Sequence, residues 1–481
     1  MLQDNKSVYV FLYDLEAESY NPTPNDRDMA LLFHDIFREE SFYHREEKCW
    51  YYYDGKVWRP DHEAAAAREK LKMLVYMYQL YIENDAKFEN NNAAAAYMKL
   101  LKSYDRYEKR MAVLRDAASI CPVSADRINA NPNLFNCQNG TLDLKTGELR
   151  SHLPSDYITK ISNVTYDPDV TSEEFESFMR DITCGDGDLE FYIQKIFGYA
   201  LTGDTNMEKC FILYGPTTRN GKSTLVETFS YMLGGSEGYA AAVDPATVAC
   251  HVPDARRASS DLARLDGFRF ICAGEPPKNM IFDAARLKLL TGRDKIVARG
   301  LYAAEKEFTP QFKLFFNTNH LPEVQDQTLF DSGRMVIIPF NRHFSEEEQD
   351  RELKDRLRRE DNITGMFNYF LRGLGALRIV GEEMPQAVSD AIEHYRVSCD
   401  KVRRFFHDCM TPTDGCCVSV GEAYRAYEGW CRLNGHYAER KTVFMAKVKD
   451  MGVWKAQGRI NGQFVHNLIA NYIINEEASG Q

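Results

Sequence analysis

The stretch "CFILYGPTTRNGKSTLVETF", Cys210 to Phe229, limits the possible folds more than any other part of the chain. Its first five residues are apolar without alternation, the pattern of a buried strand. A loop follows, ending in Gly221-Lys222-Ser223-Thr224, and a helix-forming run begins there. Strand, loop and helix in this order require the helix to pack back on a sheet. From "FYIQKIFGYALTGD" to "MVIIPF" short apolar strands keep alternating with helices. The expected class is therefore α/β with a mainly parallel sheet wrapped by helices.

A glycine-rich turn between strand and helix aims backbone N–H groups at phosphate oxygens beside the positive end of the helix. The candidates for cradling a nucleoside triphosphate are Gly215, Thr217, Thr218, Arg219, Asn220, Gly221, Lys222, Ser223 and Thr224. Lys222 would reach the β- and γ-phosphates and Ser223 would hold Mg2+, so ATP and Mg2+ are the expected cofactors. The loop from Gly215 to Gly221 is one residue longer than the usual phosphate-loop spacing, which leaves open whether Gly215 or Pro216 meets the nucleotide.

A magnesium triphosphate also needs an acidic group at a strand end to assist the metal and orient water. "FRFICAGE" supplies one at Glu275. "FKLFFNTNHLPEV" is another apolar strand, with Asn319 just beyond it as a neutral amide able to bond a γ-phosphate and an attacking water. "DSGRMVIIPF" sets Arg334 before a strand, and arginine is planar, always charged and multidentate toward a phosphoryl group.

The flanks differ in texture. "CWYYYDGKVWRPD" is a hairpin turning at Asp54-Gly55, and Leu71, Leu74, Tyr78 and Ile82 mark a helix. "LFNCQNGTLDLKTGELRSH" contains further short strands, and "SEEEQDRELKDRLRRE" is expected to be a charge-laced helix with a solvated face. The last part pairs helices at "GEAYRAYEGWCRLNG" and "KTVFMAKVKDMG" with a strand pair, a pattern suggesting a winged-helix module. Three regions are expected: an α+β accessory or oligomerisation region over 1–170, an ATPase domain over 171–395 and a winged-helix-like DNA-binding domain over 396–481.

The net charge is -12, yet the segment from Arg396 onward carries 12 Lys/Arg against 9 Asp/Glu. Nucleic acid must therefore bind through local basic features. The 12 cysteines lack zinc-site spacing, and Cys416-Cys417 reads as two ordinary thiols. No apolar run reaches the ~20 residues of a membrane span and no signal-peptide pattern opens the chain, so the expectation is a reducing cytoplasm and no membrane partner.

Taken in order, "NGKST", "FICAGE", "LKLLTGRDKIVARGLY", "FKLFFNTNHLP" and "GRMVIIPF" resemble the motifs of superfamily 3 helicases, and more closely the poxvirus and phage/plasmid primase-helicase family. "LFNCQNGTLDLKTGEL" and "KIFGYALTGD" resemble that family's region ahead of the ATPase, and "GEAYRAYEGWCRLNG" its winged-helix module. The resemblance implies an AAA+-type P-loop core, a homo-hexameric ring and 3′ to 5′ movement on single-stranded and forked DNA for replication of a phage, plasmid or other mobile element. It makes Lys222 and Ser223 ligands of triphosphate and metal, Glu275 a catalytic acid that also assists the metal, Asn319 a polar sensor and Arg334 a finger acting on the neighbouring subunit's nucleotide.

The family also places a DNA-gripping hairpin where "GRDKIVARGLYAAEKEFTPQF" stands, making Lys295, Arg299, Tyr302 and Lys306 the candidates for DNA contact. Many relatives carry a primase domain as well. Here no clear pair of metal-binding carboxylates precedes residue 170, the nearest candidate being Asp14 in "FLYDLE", so a separate primase is the expected partner. Two other readings remain open at this level: a DNA-binding initiator using ATP as an assembly switch, and a P-loop small-molecule kinase.

Overall fold

The structure, a computed structural model, describes residues 25–475 apart from 85–90, 121, 250–260, 278–279, 300–304, 435–436 and 461, together with residues 8, 11, 12 and 14. Helix α1 (Asp26–Phe37) starts where the Asn25 side chain accepts from the Asp28 N–H at 2.9 Å. Strands β1 (Ser41–His44), β2 (Cys49–Tyr53) and β3 (Trp58–Asp61) form successive antiparallel pairs, and β4 (Pro122–Val123) runs parallel to β1. The β2–β3 turn closes through Asp54 N–H to Val57 O at 3.1 Å, with Gly55 at φ +97°. In α2 (Ala65–Asn84), Leu71, Leu74, Tyr78 and Ile82 are all buried, as their spacing requires. With α3 (Asn91–Lys102) and α4 (Tyr107–Ile120) they build one hydrophobic core around Phe33 and Phe37.

Strands β5 (Leu134–Cys137), β6 (Gly140–Asp143) and β7 (Leu149–Arg150) form a small antiparallel sheet. Its apolar residues Phe135, Cys137, Leu142 and Leu144 do not join the N-terminal core. They are buried with α5 (Glu173–Ile182), α6 (Gly187–Ala200) and the central sheet. A smaller cluster of Phe42, Tyr51, Trp58 and Val123, packed against Ile128 and Tyr157, joins the N-terminal sheet to this region.

The central sheet contains β8 (Cys210–Tyr214), β9 (Ala240–Val243), β10 (Phe270–Ala273), β13 (Lys313–Thr318) and β14 (Met335–Pro339). Their spatial order is β14-β8-β13-β10-β9 and every pairing is parallel. Helix α7 (Lys222–Met232) follows β8. Between β10 and β13 lie α8 (Ala284–Thr291) and the antiparallel hairpin of β11 (Ile296–Arg299) and β12 (Glu305–Phe308). Helix α9 (Thr328–Asp331) precedes β14. Because β9, β10 and β13 lie on one side of β8 and β14 on the other, the chain reverses its winding at β8, and a crevice opens at the carboxyl ends of the strands there.

The charged segment 345–360 is mostly turns, not the single helix its composition suggested. Glu348 accepts from the Ser345 N–H at 2.9 Å, and Asp350 from those of Glu352 and Leu353 at 3.0 and 3.1 Å. These short carboxylates bond local backbone donors and leave only α10 (Leu353–Leu357) before the long α11 (Glu360–Val380). Helix α11 lies against α6 so closely that a Cβ on Gly198 would meet Phe370 O at 2.4 Å. Helix α12 (Gln386–Cys399) buries Tyr395 against Phe330, at 5.3 Å between ring centroids.

The last unit has its own core around Phe405, Tyr427 and Phe444. Its order is α13 (Lys401–Cys409), β15 (Met410–Ser419), α14 (Val420–Leu433), α15 (Lys441–Asp450), β16 (Trp454–Ile460) and β17 (Gln463–Ile474). The expected strand pair is extended by β15, giving an antiparallel sheet in the order β15-β17-β16. Cys416 and Cys417 are free thiols. Among the described residues no helix is long and apolar enough to cross a membrane.

Candidate active site

The loop from Gly215 to Gly221 leaves the carboxyl end of β8 and closes on itself. Asn220, only 4% exposed, donates its amide to Thr217 O at 2.6 Å. Arg219 and Gly221 both take left-handed backbone, at φ +60° and +82°. Outside the loop, His343 Nδ1 lies 2.9 Å from Thr218 O, and the Phe344 N–H donates to Arg219 O at 2.8 Å. Gly215 is the cramped position: a Cβ there would fall 2.1 Å from Asn220 Nδ2 and 2.8 Å from Lys222 Nζ. Gly215 therefore lines the interior of the loop.

Gly221 caps α7, and the first three helix positions are Lys222, Ser223 and Thr224. Lys222 is 3% exposed and donates to Asn319 Oδ1 at 2.8 Å. Burial pushes its ammonium down to about 8, while the Glu275 carboxylate pulls the other way. The loop lysine, the amide after β13 and the acidic residue after β10 therefore share one electrostatic environment. Glu275 is exposed and lies two residues beyond the end of β10. Strand β13 separates β10 from β8, so the acidic residue approaches from the next strand but one, not from a direct neighbour.

A residue that sequence reasoning passed over completes the group. Asn317 Nδ2 donates to Ser223 Oγ at 3.1 Å. Asn317 and Asn319 are two positions apart at the end of β13, and the period-2 geometry of a strand was the available signal. Arg334 is elsewhere. It precedes β14, at the amino end of the sheet, where its backbone carbonyl accepts from the Cys210 N–H at 2.7 Å. Its guanidinium pairs with Glu208 and donates to Thr291 Oγ1 at 3.0 Å. A strand of five residues at about 3.3 Å each puts it roughly 16 Å from the loop of its own chain.

In the hairpin, Lys295 is exposed and pairs with Glu307 at 3.0 Å, and Arg299 lies on the exposed face of β11. Lys306 is placed differently: it bridges Glu47 at 2.7 Å and Asp266 at 2.8 Å, tying β12 to the N-terminal sheet. These two carboxylates raise its pKa despite burial. Tyr302 lies outside the described residues. Among the described residues, no cluster of three or more His, Cys, Asp or Glu side chains could hold a metal ion by itself. One hydroxyl, Ser223, and one carboxylate, Glu275, suit Mg2+, which takes most of its ligands from phosphates and water.

Comparisons with known proteins agree with this architecture. Residues 30–184 match the family described as D5 N terminal like, and residues 213–334 a family of unknown function (DUF5906). A "Putative helicase" of Acanthamoeba polyphaga mimivirus is 26% identical over 72% of this chain. One of Invertebrate iridescent virus 3 is 23% identical over 84%. The chain spans 38% and 50% of the length of these two relatives. The apo structure of the NrS-1 C terminal region superposes with a TM-score of 0.50 at 10% identity, covering 91% of this chain and 98% of that one, and so shares its fold. The chain is thus similar to these viral putative helicases, and its residues 30–184 resemble the D5 N-terminal-like family.

Proposed function

We propose that the chain is an ATP-driven DNA helicase of the superfamily 3, AAA+ type, acting as a hexameric ring on single-stranded and forked DNA during replication of a virus or other mobile element. The observation that carries this reading is the convergence of Lys222, Ser223, Asn317 and Asn319 at the reversal point of the sheet, with the Glu275 charge acting on Lys222. The loop backbone and Lys222 bind the triphosphate. Asn319 holds the lysine in place before phosphate arrives and is itself positioned to bond the γ-phosphate or water. Asn317 holds the Ser223 hydroxyl, which would be one of the ligands of a bound Mg2+. Glu275, exposed, orients the attacking water and accepts its proton. Bound at Ser223 and Glu275, Mg2+ would neutralise charge on the phosphates.

Arg334 is too far from its own loop to act there, so its role belongs to the nucleotide of an adjacent subunit, after exchange of its Glu208 partner. Lys295 and Arg299 present the charge of the hairpin to DNA, whereas Lys306 anchors it. The helix–strand order of residues 401–474, with basic Lys441, Lys447 and Lys449 on α15, supports a winged-helix reading of the last unit. The deciding experiment measures ATP hydrolysis with and without single-stranded DNA, together with strand displacement on a fork. Stimulated hydrolysis with displacement is expected, and both should be lost in Lys295→Ala/Arg299→Ala. Turnover indifferent to DNA, with no displacement, would refute the helicase reading.

A further inference from the structure

A second cavity, of about 560 Å³, lies in the N-terminal region, between the β1–β4 sheet and the turn at residues 153–157. Its volume falls within the ~300–1,000 Å³ typical of small-ligand sites. The floor is aromatic: Phe42 stands 4.6 Å from Trp58 and 5.5 Å from Tyr157, centroid to centroid. The turn is pinned by Trp58 Nε1 donating to Pro154 O at 2.8 Å. It holds Tyr157 in left-handed backbone, φ 49°, an uncommon conformation for an aromatic residue. Tyr157 lies nearly parallel to Trp58, with an interplanar angle of 13°, and the Arg127 guanidinium covers its ring at 4.6 Å. Arg127 and Arg38 are both exposed at the rim. In the wall, the Ser41 hydroxyl is buried and has no hydrogen-bond partner.

We propose that this cavity binds a base of single-stranded DNA outside the ATP site. The rings of Phe42, Trp58 and Tyr157 cover one another, so they hold the exposed Arg127 guanidinium in a fixed plane on which a base can stack; Arg38 beside the exposed Glu39 lies near the adjoining phosphates, and the unpaired Ser41 hydroxyl offers a polar contact for a base edge. An aliphatic ligand would leave the Arg127 and Arg38 cations unmatched, and an anion without a planar ring would leave the Arg127 plane uncovered. The position lies on the same accessory region that Lys306 ties to the hairpin through Glu47, so a strand leaving the hairpin has a second holding point on a connected surface. The inference rests on the reading of the chain as an enzyme that handles single strands.

The test uses the full chain with two variants: Arg127→Ala, at an exposed position, and Leu153→Trp, which fills the mouth of the cavity from a residue already 45% exposed. Affinity for a labelled oligothymidylate is measured against salt, a bromodeoxyuridine version is photo-crosslinked and mapped, and basal ATPase is followed in parallel. Expected results are crosslinks within residues 122–158, affinity weakened about tenfold in each variant, and a salt slope lowered by roughly 0.7 in Arg127→Ala. Basal ATPase should be unchanged. Unaltered oligomer affinity with crosslinks elsewhere would overturn the proposal, as would binding of free dTMP without the oligomer, or an altered assembly mass as the sole effect of Leu153→Trp. ATPase that fails in the parent chain while the cavity variants still lose DNA affinity would refute the helicase reading alone.

Discussion

Triphosphate affinity should fall as pH rises from 7 to 9, because the phosphate-loop lysine is buried before any phosphate reaches it. Lys222 is 3% exposed, its first partner is the neutral Asn319 amide, and burial lowers its pKa to about 8. At pH 7 about nine-tenths of sites carry the ammonium, and at pH 9 about one-tenth. A bound triphosphate restores the lysine toward its ordinary value of about 10.4, so binding takes up a proton across this window. Affinity for a non-hydrolysable triphosphate should therefore drop about tenfold between pH 7 and 9, with uptake of about half a proton per site at pH 8. Phosphate ionisation at about pH 6 lies below the window. Calorimetry in two buffers of different ionisation enthalpy reads both quantities. Lys222→Arg keeps its charge and should bind without this slope. The stability of the free protein runs the opposite way. A lysine with a lowered folded pKa costs stability that is fully present below pH 8 and is relieved as pH rises toward 10.4, so the unliganded chain should gain stability over that range. A flat affinity from pH 7 to 9, or an equal slope in Lys222→Ala, would refute the reasoning.

Other outcomes follow from the same geometry. Glu275→Gln should retain nucleotide affinity yet lose about 10²-fold or more in turnover, and normal turnover would remove the residue from the chemistry. Asn317→Ala frees the Ser223 hydroxyl and should weaken the apparent Mg2+ affinity in ATPase titrations about 10-fold or more; an unchanged magnesium dependence would make the contact structural. Mixing Lys222→Ala with Arg334→Ala chains should restore part of the ATPase that each lacks, since one subunit can contribute each half of a shared site, whereas absence of rescue at any ratio would argue against sharing. Phe197, fully buried, packs 4.8 Å from Phe229 and 5.2 Å from Phe315, so Phe197→Ala should cost about 3–5 kcal/mol in denaturant unfolding. A loss well under that would mean the core collapses around the cavity.

The sequence by itself determined the local elements. Uniform apolarity in "CFILY", "FICA" and "MVIIP" specified buried strands, Asp54-Gly55 specified a turn, and the helical spacing of Leu71, Leu74, Tyr78 and Ile82 specified a buried face. These signals depend on residues close together in the chain, where backbone preference and side-chain period act directly. The places of Lys222, Ser223, Glu275 and Asn319 in the fold were readable for the same reason, each standing just beyond a strand or at the start of a helix. Tertiary structure decided which strands are neighbours. Insertion of β13 between β8 and β10 brings Asn317 to Ser223, a contact across 94 positions. Folding also placed Lys306 between Glu47 and Asp266, withdrawing it from the DNA-facing role that the family resemblance implied for it, and carried Arg334 to the opposite end of the sheet from the Gly215–Gly221 loop. Strand order and ion-pair choice arise from burial and charge summed over distant segments, and a one-dimensional pattern holds no record of which distant groups will meet.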